Sequence, residues 1–188
     1  MPNLNPINLN YKGHLLAANP LNPVDSMYKS VILMVSHTDK VAIGLQINQS
    51  IKELSLQSVS DSIGLWYEGQ DPIWYGGNIN NSKIHVIHST DWSGLSTIQI
   101  TDDLSVTNDI SILTALSNGE GPEFFRACAG YRTWENGVLD WQLDAGENVT
   151  HKWETVPATA ELVFNGEGAE QWRKVLSASA RRQVGIWF

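Results

Sequence analysis

The side chains that could perform chemistry are few and lie scattered along the 188 residues of the chain. His85 and His88 stand three residues apart, and the acidic pair Asp102 and Asp103 follows them. The single thiol belongs to Cys128. Such groups can bind a metal, transfer protons or act as nucleophiles. Whether they do so here depends on the elements that carry them.

The histidine spacing argues against a local metal site. Residues three apart in a strand point to opposite faces, so His85 and His88 cannot converge. His88 could meet His37 if their strands are neighbours, and Asp102 would then complete a ligand set. A histidine at a strand end is more often a hydrogen-bonded structural group. We therefore expect no metal and no cofactor.

The glycine pair Gly76-Gly77 could bring backbone close to a ligand. Phosphate-binding loops run from glycines directly into a helix, often with a lysine. Here residues 78–82 are polar and a strand follows, so the pair predicts a turn or bulge that needs positive φ. The alternative is a small-ligand or nucleotide groove beside the pair, with the candidates His37, Asn48, Gly76, Gly77, His88 and Asp102.

Two further interpretations weaken the case for catalysis. Cys128 lies inside the apolar run FFRACAGY, which is typical of a buried and inert thiol. Asp102 and Asp103 precede a predicted helix, where carboxylates cap the positive end. A hydrolase that uses Cys128 or a His/Asp pair stays open as a further alternative, but no catalytic residue is predicted.

The elements that must position these groups follow from periodicity. Apolar or alternating runs predict strands at 30–37, 41–48, 73–75, 83–88, 96–101, 123–131 and 159–165. Helical spacing predicts helices at 110–116 and 136–146, and a last helix from about Ala169. Together they indicate an α+β fold, with an arm at residues 1–12 and one compact domain at 13–188.

Charge and composition narrow the choice of partners. The net charge of −8 and the pI near 5.0 argue against nucleic-acid binding, which needs a basic surface. The basic pairs 173–174 and 181–182 are interpreted as a solvated helix face. One cysteine, no visible signal peptide and no long apolar run predict a cytoplasmic protein that does not enter a membrane.

Aromatic residues mark the candidate contact surface. The chain has eight tryptophans, and large aromatic side chains often anchor protein interfaces. The candidates are Tyr131, Trp134, Trp187 and Phe188. Packing in the protein's own core is the competing interpretation for each of them.

Three segments occur in the order of a known family. The first is KSVILMVSHTDKVAIGLQINQS, with His37, Gly44 and Asn48 in place. The second joins WYGGNINNSKIHVIHS to ITDDLSVTND, and the third joins GYRTWENGVLDWQL to KWETVPATAELVF. In this order they resemble the YqgE/AlgH family of bacterial proteins from about residue 13 to 176. Asn78 stands where that family usually has proline, and residues 136–139 replace its usual Pro-Gly-Gln-Leu.

The resemblance implies a compact α+β fold with a coiled, mixed or antiparallel sheet and short flanking helices. It implies no catalytic residues, because the family has none that are accepted. One branch of the family is described as a transcriptional regulator without a recognisable DNA-binding element. We therefore expect a non-enzymatic regulatory or interaction protein that acts through a protein partner.

Overall fold

The computed structural model describes residues 10–21, 24–144 and 151–185. Its strands are β1 (His14–Ala18), β2 (Val31–His37), β3 (Val41–Gln46), β4 (Ser50–Ser55), β5 (Pro72–Tyr75), β6 (Ile79–Ser89), β7 (Ile98–Gln99), β8 (Leu104–Thr107), β9 (Phe125–Glu135) and β10 (Trp153–Pro157). Its α-helices are α1 (Leu56–Ser62), α2 (Ser111–Ser117), α3 (Val138–Leu143), α4 (Ala160–Phe164) and α5 (Gly168–Gly185). Most of the predicted arm, residues 1–9, lies outside this description.

The strands join into one curled, mixed sheet. Its order is β10-β1-β2-β3-β9-β6-β8-β7, with β5 paired to β9 and β4 paired to β5. Only the β5–β9 pair is parallel among the described strands. The long strand β9 contacts β3, β5 and β6, so it is the centre of the sheet. The predicted α+β class with a coiled mixed sheet is confirmed.

Alternation along the strands divides the core between the two faces of the sheet. On β1, Leu15 and Ala17 face the cluster that includes Trp172 and Val175 of α5. The next residues, Leu16 and Ala18, face a second cluster near α3 on the other side. A third cluster packs under α1 and α2. Helices therefore cover both faces of the sheet, and side chains at odd spacing are separated by it.

Local signals correctly predicted several elements. Thr38 closes the β2–β3 hairpin, where its Oγ1 accepts from the backbone N of Val41 at 3.1 Å. Along α5, Trp172, Val175 and Ser179 are buried at helical spacing. The exposed pair Glu170–Lys174 forms across one turn, with an N–O distance of 2.9 Å.

Other predictions were wrong. The segment 159–165 is not a strand but contains α4, because Thr159 caps it by accepting from the N–H of Leu162. Five residues are too few for periodicity to separate helix from strand. The predicted elements also did not include β4, α1 and β8. Among the described residues, no helix is both long and apolar enough to cross a membrane.

Candidate functional site

The sheet keeps apart His37 and His88, two of the candidates for the predicted ligand groove. His37 on β2 pairs with Ala42 of β3, which in turn pairs with Trp134 near the end of β9. His88 on β6 pairs with Phe125 at the start of β9. Nine residues of strand span roughly 30 Å. The two histidines therefore lie at opposite ends of the central strand.

His37 is held in place by contacts to both nitrogens of its ring. Its side chain is 5% exposed, and its Nδ1 accepts the backbone N–H of Tyr11 at 3.2 Å. Nε2 lies 3.5 Å from Oδ1 of Asp140 on α3. His37 thus fastens the N-terminal segment and α3 to the end of β2.

His88 is fully buried and faces no cleft. Its Nδ1 donates to the backbone oxygen of Ser89 at 2.8 Å, and its ring meets the edge of Trp92. Nε2 has no hydrogen-bond partner among the described residues. Burial lowers the pKa of His88 below its usual range. His85 packs on Tyr131 on the other face, as the odd spacing predicts.

Asn48 is a structural bridge rather than a ligand-binding group. Its Oδ1 accepts from the N–H of Val31 at 2.9 Å. Its Nδ2 donates to the oxygens of Lys29 and Gly168, at 2.8 and 2.9 Å. Both amide hydrogens are therefore used within the protein, and Asn48 joins the start of β2 to the start of α5.

The glycine pair is required by close packing and not by positive φ. Gly76 donates its N–H to Ala129 and accepts from Gln46, so the chain here bridges β9 and β3. A Cβ on Gly76 would lie 2.2 Å from the oxygen of Gly130, and one on Gly77 would lie 2.2 Å from the carbonyl of Tyr131. Neither glycine is among the described residues with positive φ. The predicted conformational reason was therefore wrong.

The acidic pair does not cap α2 as predicted. Asp103 Oδ2 accepts from the N–H of Ala160 at 2.8 Å, so it caps α4, which lies 57 residues further along the chain. This hydrogen bond and one from Thr101 lower the pKa of Asp103, despite its partial burial. Asp102 is exposed and contacts Thr90 through its backbone oxygen.

The surroundings of Cys128 and Ser89 activate neither side chain as a nucleophile. Cys128 is fully buried, and desolvation raises the pKa of its thiol to about 12. The hydroxyl of Ser89 donates to Asp91 at 2.5 Å rather than to a histidine. In the part of the chain that the structure describes, no three His, Cys, Asp or Glu side chains gather as metal ligands.

The structure describes two of the four aromatic residues that were predicted to form a contact surface. Trp134 is 4% exposed, and its indole N–H donates to Gln142, so it belongs to the core and was wrongly assigned to a surface. Tyr131 is half-buried against His85. The candidates Trp187 and Phe188 lie outside the described residues.

A groove lies between α4 and α5, and we call it the α4–α5 groove. Its volume is about 1030 Å³. Its apolar lining comes from Leu162, Phe164 and Ala178. Its cationic lining comes from Arg173, Lys174 and Arg181 on α5.

Two of these cationic side chains, Arg173 and Arg181, are available to bind an anionic partner. Lys174 pairs with Glu170, but neither Arg173 nor Arg181 has a carboxylate within 4.0 Å among the described residues. Both are exposed and, eight residues apart, lie on one side of the helix. Sequence reasoning noted the basic pairs but missed the groove, because α4 was expected to be a strand.

A buried arginine holds the loop that forms one end of the groove. Nη2 of Arg126 donates to the oxygens of Phe164 and Gly166, at 3.3 and 3.2 Å. Its Nη1 donates to the oxygen of Ile47 and, at 3.1 Å, to Oε1 of Gln171. Burial lowers the pKa of Arg126 to about 10. All four acceptors are neutral, and together they tie β9 to the turn between α4 and α5.

Comparisons with known proteins agree with this architecture. A family model described as AlgH-like matches residues 15–182. A UPF0301 protein of Sphingopyxis alaskensis is 32% identical over 165 residues, which cover 87% of this chain and 86% of the relative. A UPF0301 protein of Idiomarina loihiensis is 32% identical over 183 residues, covering 94% and 93%.

Solved structures show the same fold. The solution structure of the AlgH protein from Pseudomonas aeruginosa has a TM-score of 0.75 and 25% identity, over 95% of this chain and 92% of that one. The crystal structure of DIP2367 from Corynebacterium diphtheriae has a TM-score of 0.68 and 21% identity, over 89% and 86%. With the match over residues 15–182, these findings establish that the chain belongs to the AlgH-like family, the YqgE/AlgH family that its motifs indicated.

Proposed function

We propose that this chain is a non-enzymatic interaction protein that binds an acidic segment of a protein partner in the α4–α5 groove. The observation that carries this proposal is the free cationic wall of that groove in a chain of net charge −8. Arg173 and Arg181 would meet carboxylates of the partner, while Leu162 and Phe164 would receive an apolar side chain.

The chemistry of the groove favours a peptide over a nucleic acid. Only two arginines on this wall lack a described carboxylate partner, and Glu161 and Glu170 also line the groove. A nucleic acid needs many cations along its phosphates, and the acidic charge of the whole chain opposes so large a polyanion, whereas a short peptide needs only one or two carboxylates at this wall. A peptide of alternating acidic and apolar residues satisfies both parts of the lining.

The proposal includes a regulatory role in the cytosol. A protein that acts by contact changes its partner's availability without chemistry of its own. The buried thiol of Cys128 supports this, because a thiol with so high a pKa is a poor nucleophile. A single cysteine also suits a reducing compartment.

The test uses acidic dodecapeptides selected by display against the full chain. Reversing the charge of the wall in Arg173→Glu/Arg181→Glu should weaken a selected peptide about tenfold, because each exposed charge contact contributes modestly. The matched control is Arg182→Glu, which changes an exposed charge on the same helix outside the groove. Equal affinity for all three proteins would overturn the proposal, as would selection that enriches no acidic peptides.

A further inference from the structure

Arg132 is a second buried arginine, and its Nη1 makes no hydrogen bond to a described residue. The residue is 8% exposed and lies on β9. Its Nε and Nη2 both donate to the same oxygen, Oε1 of Gln46, at 3.3 and 2.9 Å. One edge of the guanidinium is therefore occupied by a neutral amide.

The opposite edge of the guanidinium is open. Nη1 makes no hydrogen bond to any described residue, and it is not among the buried unsatisfied atoms, so it reaches solvent. The edge formed by Nη1 and Nη2 has the fork geometry that binds two oxygens of a carboxylate or phosphate. No carboxylate of the described residues lies within 4.0 Å to fill it.

The polar side chains in contact with Arg132 carry no charge. The ring centroid of Tyr75 lies 5.7 Å from the guanidinium carbon, and its hydroxyl has no described hydrogen-bond partner. Gln46 donates its own amide to Gln49 at 3.3 Å, which fixes its oxygen toward Arg132. Burial lowers the pKa of Arg132, because its positive charge lacks compensation. A bound anion would relieve that cost.

The position of Arg132 separates it from the α4–α5 groove. Its register partner on β3 is Gly44, and the neighbouring pair Ala42–Trp134 belongs to the cluster on the α3 side of the sheet. A Cβ on Gly77 would lie 2.6 Å from the backbone N of Arg132. The backbone of Arg132 therefore passes beside the Gly76-Gly77 crossing.

We propose that Arg132 is the centre of an anion-binding site that takes one carboxylate or phosphate group of a small-molecule ligand. The anion would be bound end-on by Nη1 and Nη2, beside the ring of Tyr75. This site does not depend on the interaction function proposed for the groove. Failure of either one leaves the other intact.

The experiment titrates the full chain with inorganic phosphate and, separately, with acetate, at constant ionic strength in chloride. NMR follows the Nε–H signals of the arginines, and thermal unfolding follows the Tm. We expect the Arg132 signal to move and saturate, while the signal of Arg182, which is exposed and lies outside the α4–α5 groove, does not. A ligand at ten times its Kd should raise the Tm by about 3 °C.

The two anions distinguish the ligand classes. Saturation by phosphate alone identifies a phosphate site, and saturation by acetate identifies a carboxylate site. Unsaturated drift of all exposed arginine signals, or no shift with either anion, would overturn the proposal. Because the wild-type signals report binding directly, this result does not depend on the folding of a variant.

Variants then test whether the anion-dependent rise in Tm comes from binding at Nη1 and Nη2 of Arg132. Arg132→Gln should lose the anion-dependent rise in Tm, and Arg132→Lys should weaken binding at least threefold, because an ammonium cannot bind two oxygens side by side. Arg182→Gln, at an exposed position outside the α4–α5 groove, should keep the wild-type response. A rise in Tm that survives in a folded Arg132→Gln variant would place the anion elsewhere and contradict the assignment.

Discussion

The guanidinium carbon of Arg126 lies 3.8 Å from the centroid of the Trp74 ring. This stacking, with four hydrogen bonds to neutral acceptors, keeps a positive charge inside the protein without a described carboxylate partner. The acceptors come from β3, α4 and α5 and the segments beside them. Arg126 therefore connects the centre of the sheet to the helices that form the groove.

Replacing Arg126 should destabilise the protein strongly. Arg126→Met removes donors from the buried oxygens of Ile47, Phe164 and Gly166, and we expect a loss of about 3 kcal/mol in the free energy of unfolding. Urea denaturation measures this loss. Arg126→Lys should recover little, because one ammonium cannot reach acceptors on both sides. Arg182→Met is the exposed control, with an expected change within about 0.5 kcal/mol. If Arg126→Met lost no more unfolding free energy than this control, the hydrogen bonds of Arg126 would contribute nothing to stability.

Asn48 should be needed for folding rather than for binding. Asn48→Ala leaves the N–H of Val31 and the oxygens of Lys29 and Gly168 without their partner, at a cost of about 3 kcal/mol. Chemical denaturation of this variant is compared with that of Asn78→Ala, whose side chain is exposed. The structural role would be wrong if both variants unfolded at the wild-type urea concentration.

The glycine crossing should tolerate no side chain. Gly77→Ala puts a Cβ into the backbone of Tyr131, and such overpacking should cost about 3 kcal/mol or more. Gly64 is the control that distinguishes overpacking from backbone strain. It has a φ of 77°, and a Cβ at this position would contact no atom. Gly64→Ala should therefore lose only about 1 kcal/mol. Thermal unfolding of the two variants gives the comparison, and equal losses would contradict the packing explanation.

His88 should make the free energy of unfolding depend on pH in the mildly acidic range. Burial lowers its pKa in the folded state, while the unfolded chain titrates near 6.5. Its contribution is complete above pH 6.5 and is lost as the pH falls toward the folded-state value, because unfolding then takes up a proton. His88→Gln should flatten the fall in unfolding free energy by up to about 1.4 kcal/mol per pH unit.

His85 provides the comparison for this measurement, since burial lowers its pKa as well. His85→Gln should reduce the pH dependence of the unfolding free energy over the same pH range. The double variant should show the smallest pH dependence. Urea denaturation at pH 5 to 7.5 gives these slopes. Parallel curves for the wild type and both single variants would show that neither imidazole is neutral through burial.

Cys128 should be almost unreactive until the chain unfolds. At pH 8 a thiol with a pKa of about 12 has roughly a thousandfold less thiolate than one at its usual value of 9.0. Ellman's reagent should therefore label the native protein far more slowly than the protein in guanidinium chloride. Similar rates in both conditions would mean an accessible thiolate and would revive the hydrolase alternative.

Local signals could predict much of the fold. The apolar run of β2 and the turn at Thr38 indicated the first hairpin, and the spacing of Trp172 and Val175 indicated α5. The five residues of α4 could not be predicted, because its capping acceptor Asp103 lies 57 residues away. Of the candidate site, the sequence indicated only the basic pairs on α5 and the crossing at Gly76-Gly77.

By itself, the sequence determined the family, the α+β class and which strands and helices would have apolar faces, because periodicity and turn chemistry act over a few residues. Tertiary structure alone decided which side chains meet. The contact of Arg126 with Ile47 joins residues 79 apart, and the strand order separates His37 from His88. Strand order follows from packing of the whole sheet, so no local pattern could show that Arg126 would bind oxygens of α4 and α5 or that Arg132 would bind Gln46.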